Sequence, residues 1–180
     1  QISADWTEVL RRVGNDSLFL TPAWISSWLE TFGRHLRPSA LIVRDSLGVP
    51  HAVVLVTIRS EWVGPLPIRT AYLNATGEHR IASEHNSLLC ADDTLQITRD
   101  ALMGFLKQRN VHLLYLSGFV DVKAKALVAD CHWRPVRGFS SEDRYVSFSD
   151  VRASHGGYLA KLSKNTREQI RRSNKAYESL

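Results

Sequence analysis

Long apolar runs are missing from this chain of 180 residues. The longest one, AVVLV at 52–56, is far shorter than the roughly 20 residues that a membrane-spanning helix needs, which excludes a bilayer span. The sequence begins at Gln1 without a charged segment followed by an apolar one, so it contains no secretory signal, although one could have been removed. With 44% hydrophobic residues, the chain is long enough to form one globular domain with its own core.

Cysteine is also scarce, with only Cys90 and Cys131, which lie far apart and form no C-x-x-C pair. Each of them stands at the edge of an apolar stretch. The pattern indicates two reduced, mostly buried thiols in a cytoplasmic protein, with a disulfide as the alternative.

Two common catalytic signatures are absent as well. Glu78, His79, Glu84 and His85 are clustered, but their spacing is not H-E-x-x-H, and alternation along a strand would send Glu84 and His85 to opposite faces. The stretch SHGG at 154–157 is similar to the oxyanion loop of esterases, but no G-x-S-x-G motif accompanies it. Neither a metal site nor a hydrolase is predicted.

Charge is the first feature that the sequence does have, and it is concentrated at one end. The net charge is +5, from 23 basic and 18 acidic residues. Residues 161–175 carry the same net charge, with Glu168 opposed by Lys161, Lys164, Arg167, Arg171, Arg172 and Lys175. The rest of the chain is therefore neutral, and any preference for an acidic partner belongs to this segment.

Two helices are predicted near the start of the chain. The first begins at Ser3, an N-cap residue, and ends at Gly14. The second has Thr21 as its cap, Pro22 at its first position and Gly33 as its stop. Both carry apolar residues at helical spacing, and the tryptophans among them are typical of core positions rather than of a ligand site.

Segments rich in β-branched and aromatic residues follow and predict strands, namely SALIVRD, HAVVLVTIRSEW, IRTAYLN and NSLLC. A helix is predicted over Asp92–Gln108, then a strand at HLLYLSGF that is buried on both faces. A short helix at VKAKALVADC leads to a final strand pair, HWRPVRGF and RYVSFSD. This order predicts an α/β or α+β fold with helices layered on a sheet.

The last residues form a basic amphipathic helix after a short helix at GGYLAKL. Ser163 or Asn165 is its expected cap, and Ile170, Ser173, Tyr177 and Leu180 form a narrow stripe that needs an apolar surface. The pattern runs to Leu180 without a stop signal. We therefore expect the chain to be truncated there.

Three stretches, FLTPAWISSWLETFG, NATGEHRIASEHNSLL and YLAKLSKNTREQIRRS, together resemble the CelD-like acetyltransferases. That family is named for cellulose biosynthesis, belongs to the GNAT superfamily and is related to the Fem-type peptidyltransferases. The resemblance implies a mixed, mostly antiparallel GNAT-like sheet flanked by helices. It also implies that residues 1–152 form a first lobe, and that 153–180 are a connecting helix and the start of a truncated second lobe.

Acetyltransferases of this superfamily have a glycine-rich loop between a strand and a helix, where backbone N–H groups bind the pyrophosphate of CoA. The corresponding junction here, LLCADDTLQI, has no glycine, and Asp92 and Asp93 place negative charge at the position of the phosphates. The resemblance therefore implies that the donor binds mainly in the second lobe, and no cofactor-binding residue is predicted in this one.

Glu84 and Asn86 match an E-x-N of the resembled family that precedes an apolar pair. On an extended segment both side chains would lie on one face, where they either contact a substrate or form structural hydrogen bonds to a neighbouring loop. If the basic helix opens a second lobe, Lys164, Arg167 and Arg171 are further candidates for substrate binding. No catalytic base is identified.

The function implied by the resemblance is N-acyl transfer from acetyl-CoA or another acyl-CoA to an amine, with a hydroxyl as the less favoured acceptor. The acceptor would be a small molecule or a polysaccharide precursor. Backbone donors would stabilise the oxyanion while a base removes a proton. We expect the chain by itself to bind acyl-CoA weakly and to be inactive.

Two alternatives stay open. The basic helix could make the chain a nucleic-acid-binding module, but its charges bracket an apolar stripe and no recognised nucleic-acid motif precedes them. The chain could also be a non-catalytic scaffold lobe.

Overall fold

Five strands form one mixed sheet in the part of the chain that a computed structural model describes. The described residues are 2–14, 17–78, 84–119, 121–129, 148–153 and 157–177. Contacts divide the chain into two units, residues 1–136 and 137–180, each described by itself below. No helix among the described residues is long and apolar enough to cross a membrane.

Two helices open the first unit, as the sequence predicts. Helix α1 is Ile2–Val13 and helix α2 is Pro22–Leu36. The hydroxyl of Thr21 accepts a hydrogen bond from the backbone N–H of Trp24, which confirms it as the cap of α2. Helix α2 continues past Gly33 because Leu36 is buried in the core, and the burial of that side chain outweighs the local stop signal.

The strands are β1, Ser39–Arg44; β2, Pro50–Val63; β3, Leu66–Leu73; β4, Leu89–Cys90; and β5, Leu113–Tyr115. Strand β1 pairs antiparallel with one edge of β2. Strands β3 and β4 share the other edge, since Leu73 pairs with Val56 and Leu89 with Val53. Strand β5 lies parallel to β3 and outside it. The mixed, mostly antiparallel sheet flanked by helices is thereby confirmed.

Helices cover both faces of the sheet. Alternation along β2 sends Val53 and Leu55 towards α1 and α2, and Val54 and Val56 towards the opposite core. That second core includes Leu102 and other residues of helix α3, Leu95–Gln108, together with Leu127 of helix α4, Asp121–Val128. Two layers of helices therefore hold the sheet between them.

Some predictions about the strands are wrong. The apolar stretch that forms β5 was predicted to be buried on both faces, but among the described residues it pairs only with β3, and Tyr115 is 53% exposed. The predicted strand NSLLC is reduced to β4, since only Leu89 and Cys90 pair with β2, while Asn86 and Ser87 take part in a buried hydrogen-bond network. Helix α3 begins at Leu95, after a short 3₁₀ turn at Asp92–Thr94.

The cysteine predictions are tested at one position. Cys90 is buried, as expected, whereas Cys131 lies outside the described residues. The first strand of the predicted final pair, HWRPVRGF, also lies outside them. The end of the second is wrong, because its last three residues open a helix, Phe148–Ala153.

The second unit contains that helix, α5, followed by α6, Gly157–Ala160, and α7, Lys164–Tyr177. Ser163 rather than Asn165 caps α7, because its hydroxyl accepts the backbone N–H of Thr166. On the expected apolar stripe, Ile170 is half-buried and Tyr177 is 75% exposed. The assignment of residues 153–180 to a second lobe stays a prediction.

Candidate functional site

The parallel strands β3 and β5 end side by side, and the chain segments that follow them diverge. The last paired residues are Tyr72 and Tyr115. After β3, the chain turns at Asn74, whose φ is +59°, and leaves the sheet; it pairs again at Asn86, which forms a parallel bridge with Phe119, and then at β4. After β5, it turns at Gly118, with φ +71°. Carboxyl ends of parallel strands whose connections separate are a common place for ligand sites in α/β proteins.

Buried amides join the two diverging segments. The Nδ2 of Asn74 donates to the Oδ1 of Asn86 at 2.7 Å and to the carbonyl of Ser87 at 2.8 Å. The Nδ2 of Asn86 donates to the carbonyls of Leu73 at 3.2 Å and Ser117 at 3.1 Å. Asn74 and Asn86 are each 1% exposed. The network therefore fixes the position at which the strands part.

The segment after Asn74 passes over the sheet at Gly77. Its φ is +100°, and an added Cβ would lie 3.2 Å from the Cγ2 of Thr57. The carbonyl of Gly77 accepts a hydrogen bond of 2.7 Å from Arg59. A glycine is required here both by the backbone conformation and by the close approach to the strand.

A group of polar side chains, four of them ionisable, lies on this face of the sheet, which we call the tyrosine face: Thr57, Arg59, Glu61, Tyr72 and Tyr115. They share the face because alternate residues of β2 point the same way, and Thr57, Tyr72 and Tyr115 are register partners. The two phenol rings lie 5.6 Å apart between centroids, and the Nε of Arg59 lies 3.6 Å from the Oε1 of Glu61. The phenols thus stand at the end of the parallel pair, whereas Arg59 and Glu61, the register partners of Thr70 and Ile68, lie further back along β3.

Electrostatics favour a protonated phenol at this position. Burial raises the pKa of Tyr72 above its ordinary value, and the Glu61 carboxylate adds to the rise, while Arg59 opposes it. The hydroxyl of Thr57 is buried, with no hydrogen-bond partner among the described residues. The tyrosine face can therefore offer proton donors next to a carboxylate that accepts protons.

The two site residues predicted from E-x-N do not share a face. His85, between them, has φ +49°, so the segment is bent rather than extended. Glu84 is exposed, whereas Asn86 is buried in the amide network. Asn86 therefore forms structural hydrogen bonds, one of the two possibilities that the sequence left open, and a substrate contact of Glu84 stays a prediction.

The other predicted site residues belong to the second unit. Lys164, Arg167 and Arg171 lie three and four positions apart on α7 and so share one face of that helix. Arg171 approaches Glu168 at 3.9 Å, with both side chains largely exposed. Substrate binding by these three residues stays a prediction.

Sequence reasoning missed the tyrosine face, although it carries a readable signal. Within VTIRSEW, the polar residues Thr57, Arg59 and Glu61 recur at every second position. That period places them on one face of a strand, with Ile58 and Ser60 between them on the other face. The pairing of Tyr72 with Tyr115 had no such signal, because the two residues are distant in sequence.

Comparison with known proteins gives likenesses in structure only. Neither a protein-family model nor a curated protein matches the sequence. A glucosamine-6-phosphate N-acetyltransferase from Arabidopsis thaliana matches with a TM-score of 0.47 and 9% identity, over 80% of this chain and 94% of that one. An aminoglycoside antibiotic 6'-N-acetyltransferase from Acinetobacter haemolyticus matches with a TM-score of 0.45 and 13% identity, over 80% and 92%.

A mutant protein from Bacillus halodurans matches with a TM-score of 0.44 and 14% identity, over 79% of this chain and 96% of that one. Likenesses at this level establish neither a family nor an activity. The chemistry of the site has to be argued from the residues of this chain.

The junction between β4 and α3 does not fit the pyrophosphate of an acyl-CoA. Asp92 and Asp93 form the 3₁₀ turn there and are exposed, and no glycine opens the helix. Their carboxylates would repel an anion at the N-terminus of α3, where the helix dipole would otherwise attract one. Among the described residues, no group of three or more histidine, cysteine or acidic side chains could hold a metal ion.

Proposed function

We propose that this chain is part of a GNAT-like N-acyltransferase, which moves an acyl group from a thioester donor such as an acyl-CoA to an amine. The observation that carries the proposal is the tyrosine face, where two phenols stand at the ends of the parallel strands β3 and β5 and the Arg59–Glu61 pair lies further back along the same face. Amine acylation needs a group that removes a proton from the amine and hydrogen-bond donors near the developing charge.

In the proposal, Glu61 accepts the proton of the acceptor amine. Its side chain lies on the tyrosine face, where Arg59 holds it at 3.6 Å. Tyr72 keeps its proton at neutral pH, since an ordinary phenol has a pKa of about 10 and burial raises the pKa of this one further. Tyr115, which is 53% exposed, presents the neighbouring phenol to solvent. These two hydroxyls would orient the acceptor and donate hydrogen bonds to it.

We propose further that the thioester donor is held mainly outside the β4–α3 junction, in a second lobe of the same protein. Asp92 and Asp93 support this, since they disfavour an anion at the start of α3. Calorimetry with acetyl-CoA on the 180-residue chain should then show no saturable binding below about 1 mM. Tight one-to-one binding to this chain would contradict that placement of the donor.

The acyltransferase proposal is tested by release of free thiol from acetyl-CoA and longer acyl-CoAs. The assay uses the longest natural chain that contains these residues, with a panel of amino sugars, polyamines, amino acids and peptide amines. Thiol release that depends on an amine, with the acylated amine identified by mass spectrometry, would support the proposal. Folded protein that acylates no amine in the panel would contradict it and favour a scaffold role.

A further inference from the structure

A polar cleft of about 290 Å³ lies on the opposite face of the sheet from the tyrosine face. Its floor is formed by Val56 and Ile58 of β2, which alternate with Thr57 and Arg59 of the tyrosine face. Strand β1 begins at Ser39, opposite Val56 of β2, and β2 continues past that point without β1 beside it. The cleft opens there. The described residues that line this cleft all belong to the first unit, on the face of the sheet opposite the one to which we assign the acyl transfer.

Three arginines from different elements converge on this cleft. Arg37 follows α2, Arg69 lies on β3, and Arg109 follows α3. His35 and the hydroxyl-bearing Ser39 and Ser60 also line it, whereas no carboxylate does among the residues that the structure describes. The lining therefore combines strong positive charge with neutral hydrogen-bonding groups and a small apolar floor.

The guanidinium groups in the cleft differ from others in the first unit. Arg11, Arg12, Arg44, Arg59 and Arg99 each lie within salt-bridge distance of a carboxylate. Within residues 2–129 as described, the arginines that form neither an ion pair nor a side-chain hydrogen bond are Arg34, Arg37, Arg69 and Arg109. All of these except Arg34 line the cleft. Three of the four uncompensated guanidinium groups in the described part of the first unit thus lie in one cleft.

Local structure gives no reason for arginine at two of these positions. Arg37 adopts the left-handed conformation, φ +47° and ψ +57°, at the end of α2, where glycine is preferred. The Nε of Arg69 is buried and has no hydrogen-bond partner among the described residues, which is costly for a charged donor. A residue that departs from the local preference without a compensating contact is a candidate for a binding role.

The third arginine is held in position by packing. The guanidinium of Arg109 lies 5.3 Å from the centroid of the Phe105 ring, a cation–π distance. Such a contact restricts the side chain while leaving its N–H groups available for hydrogen bonds. The cleft therefore presents part of its charge in a preorganised form.

We propose that this cleft binds a small metabolite through a phosphate monoester group. A guanidinium group can donate two parallel hydrogen bonds to two oxygens of a phosphate. The two negative charges of a phosphate monoester also compensate three cationic side chains better than the single charge of a carboxylate does. A volume of about 290 Å³ accommodates a phosphate with a few further atoms but not a large cofactor. Ser39, Ser60 and the apolar floor would contact the remainder of the molecule.

The test is calorimetry or an NMR titration of the 180-residue chain at constant ionic strength. The probes are inorganic phosphate and glycerol phosphate, with glycerol and acetate as controls. We expect saturable one-to-one binding of glycerol phosphate below about 1 mM. Glycerol and acetate should bind at least about tenfold more weakly, since each lacks the dianion.

Variants separate direct contact from general charge. Arg69→Gln and Arg109→Ala should each weaken phosphate binding by about tenfold or more. Arg34→Ala removes the same charge from the same end of α2 without touching the cleft, and should change binding by less than about twofold.

Arg37→Gly removes a cleft arginine without a cost in folding, because glycine adopts the left-handed conformation of this position readily. It should weaken phosphate binding without lowering the melting temperature, so that lost binding cannot be attributed to unfolding. No saturable binding of either phosphate probe below about 10 mM would overturn the proposal. An Arg34→Ala effect as large as that of the cleft variants would overturn it as well.

Discussion

Removing the amide of Asn86 should destabilise the protein, because this buried side chain makes three hydrogen bonds. It accepts one from Asn74 at 2.7 Å and donates to the carbonyls of Leu73 and Ser117 at 3.2 and 3.1 Å. Asn86→Ala leaves both carbonyls without this donor in a site that is 1% exposed. At about 1 kcal/mol for each hydrogen bond, the free energy of unfolding should fall by about 3 kcal/mol.

Urea denaturation and a thermal melt measure this loss. For a protein of this size, 3 kcal/mol corresponds to a fall of roughly 6–12 °C in melting temperature. The matched control is Glu84→Gln, two residues away and exposed, which should change the stability by less than about 0.5 kcal/mol. An Asn86→Ala variant that melts within about 2 °C of the wild type would refute the structural role of the network.

Asn86→Asp sharpens the test, since it keeps the shape of the side chain. The introduced carboxylate would face two carbonyl oxygens, so its charged form is disfavoured in the folded state. The loss of stability relative to the wild type should therefore be greater at pH 7 than at pH 4. Equal losses at both pH values would contradict this arrangement of donors and acceptors.

Two further predictions concern turns. The pKa of Asp45 is lowered chiefly by the backbone N–H of Val49 and then by His51, so its stabilising effect should be present above about pH 4 and lost as the pH falls further. Asp45→Asn can still accept hydrogen bonds from the backbone N–H groups of Leu47 and Val49, so the turn should be kept. In urea titrations, this variant should lose less stability than the wild type between pH 7 and pH 3. An unchanged pH dependence would contradict this. Gly77→Ala should lower the free energy of unfolding by about 1–3 kcal/mol, because φ is +100° and the added Cβ would contact Thr57. An unchanged free energy of unfolding in the same titrations would contradict the requirement for glycine at this position.

The elements of the first unit were largely readable from the sequence. Thr21 and Pro22 identified the start of α2, and alternation identified β1 to β3, because these signals act over a few neighbouring residues. The end of α2 was not readable, since it depends on the burial of Leu36 against distant residues.

The site was harder to predict, because it is built from contacts between distant parts of the chain. Asn86 and Ser117 are separated by 31 residues, and only the folded sheet brings them together. The apolar residues of β5 predicted burial on both faces. In the sheet, however, β5 lies beyond β3 on the side away from β2, and Tyr115 is exposed. A strand's position in its sheet is not encoded in its own residues.

The measurement that tests the proposed site most directly compares the amine-dependent thiol release of three variants. Tyr72→Phe and Glu61→Gln alter the tyrosine face, whereas Tyr158→Phe changes an exposed tyrosine of α6 and serves as the control. We predict that kcat/KM falls by about 10²-fold or more for Glu61→Gln and by at least about tenfold for Tyr72→Phe, with Tyr158→Phe unchanged. Full activity in both tyrosine-face variants, with their folding intact, would contradict the assignment of the site.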